Sequence, residues 1–329
     1  MDIPRDALKV PNDENQGTRS SCDTGATRER RRFLRLATAS LIVPYTALAA
    51  QSIADSRGWQ SDMAKPRMVI FIPLAPDDLS FSEAAYRGYQ ALGEDGFTLD
   101  FITNAARMSE SEILASIEYG YTNGVRRFML VGAELSAVTT SAAAQYQDAY
   151  FATVSGSATG TRVVNFCIDC HPVGGTLAGG VAARETRSGV VGFVGGVESV
   201  DSVEARRFRH AVLAAKPHAK ILVDWTQAWD DRTRAARLTH AQIAAGADVV
   251  LADANDAVLA AVSQHPHVKA IGWMVDASRR YSCVVASVVI DMAVVFRRFA
   301  QMTTESEFVA GNALFSEQDH VWKVIWSHR

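Results

Sequence analysis

From residue 68 onward the chain repeats one pattern: a short, continuously apolar run, then a longer segment with apolar residues at helical spacing. Few folds tolerate that alternation. A strand that is apolar at every position, rather than at every second one, has both faces buried, as happens when helices cover both sides of a parallel sheet. The runs at 68–72, 98–102, 127–131, 150–154, 163–166, 190–194, 221–225, 249–252 and 270–273 read as such strands. The segments at 80–93, 109–119, 176–186, 203–215, 232–245, 257–264 and 284–301 read as helices. Ser109 and Glu112 stand at capping-box spacing ahead of Ile113, Leu114 and Ile117, which marks a helix start. Gly120, Gly124, Gly189 and Gly246 read as helix exits.

The fold class that follows is α/β, and a weak internal duplication divides it. A helix, Gly124 and the apolar run ending at Val131-Gly132 recur as a helix, Gly246 and the run ending at Leu251-Ala252. Two such halves make two doubly wound parallel-sheet lobes with a cleft between them. Ligands bind such sheets at the carboxyl ends of the strands. With 48% hydrophobic residues in 329, the chain has enough apolar material for two cores.

The first fifty residues differ from the rest. A polar lead runs into Arg30-Arg31-Arg32-Phe33-Leu34-Arg35, then an apolar run from Leu36 to Ala50 that contains Ala47-Leu48-Ala49. A basic region, a short apolar region and a small-residue exit are the parts of a cleavable signal peptide, here 1–49. The paired arginines followed by x-Phe-Leu-Arg resemble a twin-arginine export signal. No Cys follows Ala49 at a lipoprotein site, so the expected product is a soluble periplasmic protein. The first 49 residues hold 8 Lys/Arg and 6 Asp/Glu of the chain's 33 and 36; the 25 and 30 that remain give a net charge of −5. That balance argues against a nucleic-acid partner. The apolar stretch 284–295 is interrupted by Asp291 and too short to span a bilayer, so the mature chain is not expected to span a membrane.

An ordered set of short motifs carries a family resemblance: Gly192-Phe193-Val194-Gly195-Gly196, Arg206-Arg207-Phe208, Trp229-Asp230-Asp231, Gly246-Ala247-Asp248-Val249-Val250 and Ile271-Gly272 with Asp276. Together with Asp77-Asp78-Leu79-Ser80-Phe81-Ser82 and Leu177-Ala178-Gly179, they resemble the basic membrane protein family of ABC-transporter solute-binding proteins, whose best-known members resemble purine-nucleoside receptors. The resemblance runs from about residue 68 to 298. It implies a non-enzymatic receptor that closes two α/β lobes, of the periplasmic binding protein type I kind, on a small molecule and delivers it to an inner-membrane ABC permease, without a cofactor.

Seven residues are expected to bind ligand: Asp77, Asp78, Phe81, Ser82, Ser155, Trp229 and Asp276. Phe81 follows the first strand and Trp229 a strand of the other half, so each falls at the rim of a cleft. An aromatic from each lobe can sandwich a planar ring; each can equally be a core aromatic. In the resembled family these positions stack on a nucleobase. Asp276 directly follows an apolar run, where a carboxylate can accept two hydrogen bonds from a vicinal diol, or can cap the segment near Ser278. The resemblance makes it the sugar-binding acid. Asp77 and Asp78 can contact ligand or cap the helix after Ser80. Ser82 stands where the family usually has Asn, and Ser155-Gly156 where it often has Asp-Gly. Both departures remove strong base-reading groups, which weakens the nucleoside assignment and leaves a free base or another ring compound open.

Two other readings compete. Cys167-Ile168-Asp169-Cys170-His171 matches the Cys-x-x-Cys-His pattern of c-type haem attachment, which would make the chain a periplasmic redox protein. A twin-arginine substrate arrives folded, whereas haem attachment acts on unfolded chain, so a local disulfide or free thiols also fit the pair. A ligand-sensing subunit of a signalling receptor would use the same fold. Gly195-Gly196 lacks Rossmann spacing, zinc lacks a second ligand pair, and no nucleophile elbow, His-Glu-x-x-His or P-loop is present. The expected organisation is a first lobe of 66–166 plus about 283–315, a second lobe of 189–276, and crossovers at 167–188 and 277–282. Hinge motion is expected near 166–174, 276–282 and the start of the last long helix. The stretch 302–329 departs from the resembled family's usual ending and carries no reading of its own.

Overall fold

The structure is a computed structural model that describes residues 67–168, 173–304 and 308–327. The export segment expected at 1–49 lies outside the described residues, as do Cys170 and His171.

The first lobe is built on β1 (Arg67–Phe71), β2 (Thr98–Ile102), β3 (Arg127–Val131), β4 (Tyr150–Val154) and β5 (Val163–Cys167). Between them run α1 (Phe81–Glu94), α2 (Glu110–Thr122) and α3 (Ser136–Gln145). The second lobe carries α4 (Val173–Glu185), β6 (Val190–Gly195), α5 (Glu198–Ala215), β7 (Lys220–Trp225), α6 (Arg232–Ala244), β8 (Val249–Ala252), α7 (Asp256–Val262), β9 (Lys269–Met274) and β10 (Val284–Ile290). Then come α8 (Met292–Met302), β11 (Gly311–Leu314) and β12 (Trp322–Trp326).

All pairings in the first sheet are parallel, in the order β11-β5-β4-β3-β1-β2. The second has the order β12-β10-β9-β8-β6-β7, with only β12 antiparallel. The two orders are the same doubly wound order used twice, with one late strand added at the far edge of each sheet. The duplication in the sequence falls on equivalent places: Gly124 leads into β3 and Gly246 into β8, the third strand of each sheet.

Burial explains the continuous apolar runs. In β1, Met68 and Ile70 join a core with Ala84 and Leu92 of α1 and Phe299 of α8, while Val69 and Phe71 join a core on the other face with Ile113 and Ile117 of α2 and Val138 of α3. The capping box at Ser109 and Glu112 forms with both of its reciprocal bonds. Gly124, Gly189 and Gly246 leave their helices with positive φ. Gly120 does not; it lies inside α2, where its missing Cβ makes room for the Phe128 ring.

The segment 284–301, expected as one helix, is a strand followed by a helix. Residues 284–290 are buried at every position and five of the seven are β-branched, so they suit a central strand better than a helix face. Asp291 ends the strand and caps α8, accepting from the Ala293 amide at 3.2 Å. The expected lobe boundaries shift with it. β10 belongs to the second sheet, so the chain returns to the first lobe at Asp291 and not at about 283. Helix α4, expected as part of a crossover, packs within the second lobe against α5: a Cβ on Gly179 would lie 2.5 Å from the Phe208 carbonyl oxygen.

The C-terminal stretch supplies an edge strand to each lobe and the third crossing between them. The crossings are therefore β5 to α4, β10 to α8, and β11 to β12; the loop 276–282 is not one of them. They are laced side by side. Trp322 Nε1 donates to the Ile168 carbonyl at 3.2 Å, the Asp291 amide donates to Val321 at 2.7 Å, and Lys323 Nζ meets Asp291 Oδ2 at 3.0 Å. No helix among the described residues is long and apolar enough to cross a membrane.

The α4–α5 contact gives a paired test. Gly179→Ala forces a methyl group against backbone and is expected to lower stability by about 1–3 kcal/mol. Gly180→Ala, on the exposed side of the same helix with nothing nearby, is expected to be neutral or to add about 0.5–1 kcal/mol. Urea unfolding of the two variants separates a packed helix pair from a loose one.

Candidate ligand-binding site

In doubly wound sheets the crevice opens where the strand order reverses, between β1 and β3 in the first lobe and β6 and β8 in the second. The expected site residues divide between these two ends. Asp77 and Asp78 lie in the turn after β1, Phe81 and Ser82 open α1, and Ser155 follows β4. Trp229 lies after β7 and Asp276 after β9.

The turn after β1 is built by Asp78. Its carboxylate accepts from the amides of Ser80 at 2.9 Å, Ser82 at 3.1 Å and Glu83 at 2.9 Å, closing the start of α1 in place of the Ser80 side chain. Of the two roles open to Asp78, capping is the one these bonds take. Burial pushes its carboxyl above the ordinary Asp value, against the lowering effect of those amides. Ser82 is fully buried and accepts from the Leu74 amide at 3.1 Å, so its hydroxyl also serves the turn. Phe81, the first residue of α1, is half-buried, and Asp77 is exposed. Ser155 holds a left-handed φ of 57° while its amide donates to Phe166 at 2.9 Å.

In the second lobe Trp229 is 47% exposed. Its ring lies directly on Gly196, at a distance that leaves no room for a side chain there, and its carbonyl accepts from Asn255 Nδ2 at 2.8 Å. Asp276 is half-buried; its Oδ1 accepts from the Ser278 amide at 3.0 Å and from the Ser287 hydroxyl at 3.4 Å. No helix follows it, so these bonds form a local turn. The lobes meet across the mouth: Ser80 Oγ lies 4.0 Å from Met274 Sδ, and Arg280 reaches Asp77 and Glu83.

Under Gly196 lies a group of acids that the sequence reading missed. Asp253, the residue after β8, is buried, accepts from the Gly196 amide at 3.3 Å, and hydrogen-bonds side chain to side chain with Asp201. Asp201 in turn accepts from the Val197 amide at 3.0 Å, and Glu204, one turn further along α5, accepts from the Gly175 amide at 2.5 Å. Two carboxylates can hydrogen-bond only through a shared proton. The rule that singled out Asp276, a carboxylate at the carboxyl end of a strand, applies to Asp253 as well.

Other chemistry-bearing residues sit away from the cleft. Cys167 ends β5, half-buried and disulfide-bonded, and Cys283 directs its thiol at the Leu259 carbonyl at 3.6 Å. A groove of about 870 Å³ at the amino ends of the second sheet is lined by Arg187, Asp248, His265, Lys269 and Cys283. Its charges are largely matched: Lys269 pairs with Glu185 at 2.7 Å, and Asp248 accepts from Thr186, Arg187 and Ser188. It also lies at the wrong end of the strands for this fold's ligands. Among the described residues no cluster of His, Cys, Asp and Glu is placed to hold a metal ion.

Burial first, and the Asp201 charge second, hold the Asp253 carboxyl protonated well above the ordinary carboxylate range. The folded protein therefore binds this proton more tightly than the unfolded chain does. Its contribution to stability is full below an unfolded Asp value of about 3.9 and is lost as pH rises through the raised folded value. Asp253→Asn can keep both hydrogen bonds and cannot lose the proton. Its urea midpoint, compared with that of the unaltered protein, is expected to gain as pH rises above the unfolded Asp value of about 3.9; a pH-independent difference would show that no proton is held there.

Comparison with known proteins agrees with this architecture. The family model for ABC transporter substrate-binding proteins of the PnrA-like type matches residues 65–319. Among solved structures, a transcriptional activator of the comK gene from Bacillus halodurans superposes with a TM-score of 0.70 at 19% identity, over 80% of this chain and 90% of that one. A solute-binding protein of an ABC transporter system from Conexibacter woesei gives 0.67 at 18% identity, over 79% and 88%. One from Aeropyrum pernix gives 0.65 at 16%, over 79% and 76%. At these identities the likeness is one of fold. No curated protein sequence matches significantly. The family match spans most of the chain and both lobes, and it is a family of binding proteins, not of enzymes. The chain belongs to the PnrA-like substrate-binding proteins of ABC transporters.

Proposed function

We propose that this substrate-binding protein works in the periplasm and closes on a nucleoside-like ring compound, which it delivers to an inner-membrane ABC permease. The observation that carries the reading is Trp229: a tryptophan nearly half exposed, seated on a glycine just past the carboxyl end of a strand. An indole in that position offers a flat apolar face and loses little conformational entropy when a ring stacks on it. Phe81 supplies the face from the other lobe. Asp276 holds hydroxyl groups, with Ser155 and Asp77 contributing polar contacts at the rim. Asp78 and Ser82 act from behind by fixing the turn that presents Phe81.

Base stacking is worth about 1–3 kcal/mol, so Trp229→Ala is expected to weaken binding of adenosine, guanosine or inosine by about 5- to 150-fold in calorimetry. Asp276→Asn is expected to weaken nucleosides while leaving free bases unaffected. If no purine or pyrimidine compound binds the unaltered protein, the nucleoside reading fails and the family assignment stands.

The export route is part of the same proposal: the segment 1–49 directs the folded chain through the twin-arginine pathway. Replacing Arg30 and Arg31 by Lys is expected to leave the precursor uncleaved in the cytoplasm, as read by fractionation.

A further inference from the structure

The bond that joins the lobes at the mouth is made by two residues that the ligand reading does not use. Arg280, in the loop after β9, places Nη2 3.4 Å from Glu83 Oε2 and Nη1 3.5 Å from the Asp77 carbonyl oxygen. Both partners belong to the other lobe, about 200 residues earlier in the chain. Glu83 is 5% exposed, yet its carboxylate has three partners: Arg280, the Leu79 amide at 3.1 Å, and Arg87 at 2.6 Å. Leu79 sits at a φ of 53°, a left-handed conformation that a branched side chain rarely adopts, so the bond from Glu83 helps keep the turn in that shape. Arg280 therefore grips, at both ends, the turn that carries Phe81.

The wider charge pattern agrees. Asp77 and Glu83, the latter also paired with Arg87, stand on the first-lobe side of the mouth; Arg279 and Arg280 stand in the loop after β9 of the other lobe. Opposite charges on facing rims favour closure, and they do so without contacting anything inside the cleft.

We propose that Arg280 and Glu83 form a latch across the mouth: Arg280 is a positioning residue that raises the fraction of closed molecules and sets the turn bearing Phe81, without itself touching ligand. The inference rests on the cleft being the binding site, but the contact joins the two lobes without a ligand's participation, so it can be tested with no ligand added. An ion pair of this exposure changes an equilibrium constant by up to about five-fold and weakens in salt.

The experiment is single-molecule energy transfer on the ligand-free protein, with dyes on non-natural residues at the exposed positions 94 and 264, one in each lobe. In low salt, Arg280→Ala is expected to lower the closed-to-open ratio about two- to five-fold, and Arg280→Lys to recover part of it. Raising salt to about 1 M should open the unaltered protein and leave Arg280→Ala unchanged. Glu83→Gln, which keeps an oxygen for Leu79, should match Arg280→Ala, and the double variant should be no more open than either. Equal ratios for the unaltered protein and Arg280→Ala in low salt overturn the proposal, and so do additive effects in the double variant. Neither result bears on which ring compound binds.

Discussion

Parallel pairing is the constraint from which the rest of this molecule follows. Parallel neighbours cannot be joined by a tight hairpin, so the chain crosses over between them, through a helix at most steps though not from β4 to β5 or from β9 to β10, and the helices bury both faces of the sheet. That is why β1, β3, β4, β8 and β10 are apolar almost throughout, and why the turns that hold the candidate site residues collect at one end of each sheet. The same order used twice places two such ends on facing lobes. Everything assigned to the cleft, from the Asp78-capped turn to Trp229 on Gly196, occupies a position that this repeated winding creates.

Within that frame, many of the polar residues near the cleft hold backbone in place. Asp78 fixes three amides, Ser82 one, and Asp253 and Asp201 one each around Gly196. The arrangement separates support from contact: buried carboxylates and hydroxyls satisfy the strand-to-helix turns, and aromatic faces are left at the surface above them. Each turn is then specified by several bonds made at once, which is what preorganises a site.

The sequence made the repeating architecture legible because both of its signals are local. Continuous apolar runs locate strands, and helical spacing with caps such as Ser109 locates helices. It misled where two elements abut without a glycine or proline: residues 284–290 run into α8 through Asp291 alone, and an apolar run does not state its own period. It was silent on α3, whose Ser, Thr and Ala residues carry no apolar stripe, and on β11 and β12, short edge strands with exposed positions. For the site, the positions of Phe81, Trp229 and Asp276 at strand ends followed from the winding rule. What could not be read was which polar groups are already taken. That depends on amides brought near by the turn, and, for Arg280 and Glu83, on two segments that meet only once both lobes exist.

The late edge strands have a consequence for how the protein is made. β11 completes the first sheet and β12 the second, and both come from residues 311–326. Neither lobe is whole when its own helices and inner strands leave the ribosome; each carries an open sheet edge until the end of the chain emerges. The two halves therefore finish folding together, sealed by one short stretch of polypeptide that belongs equally to both.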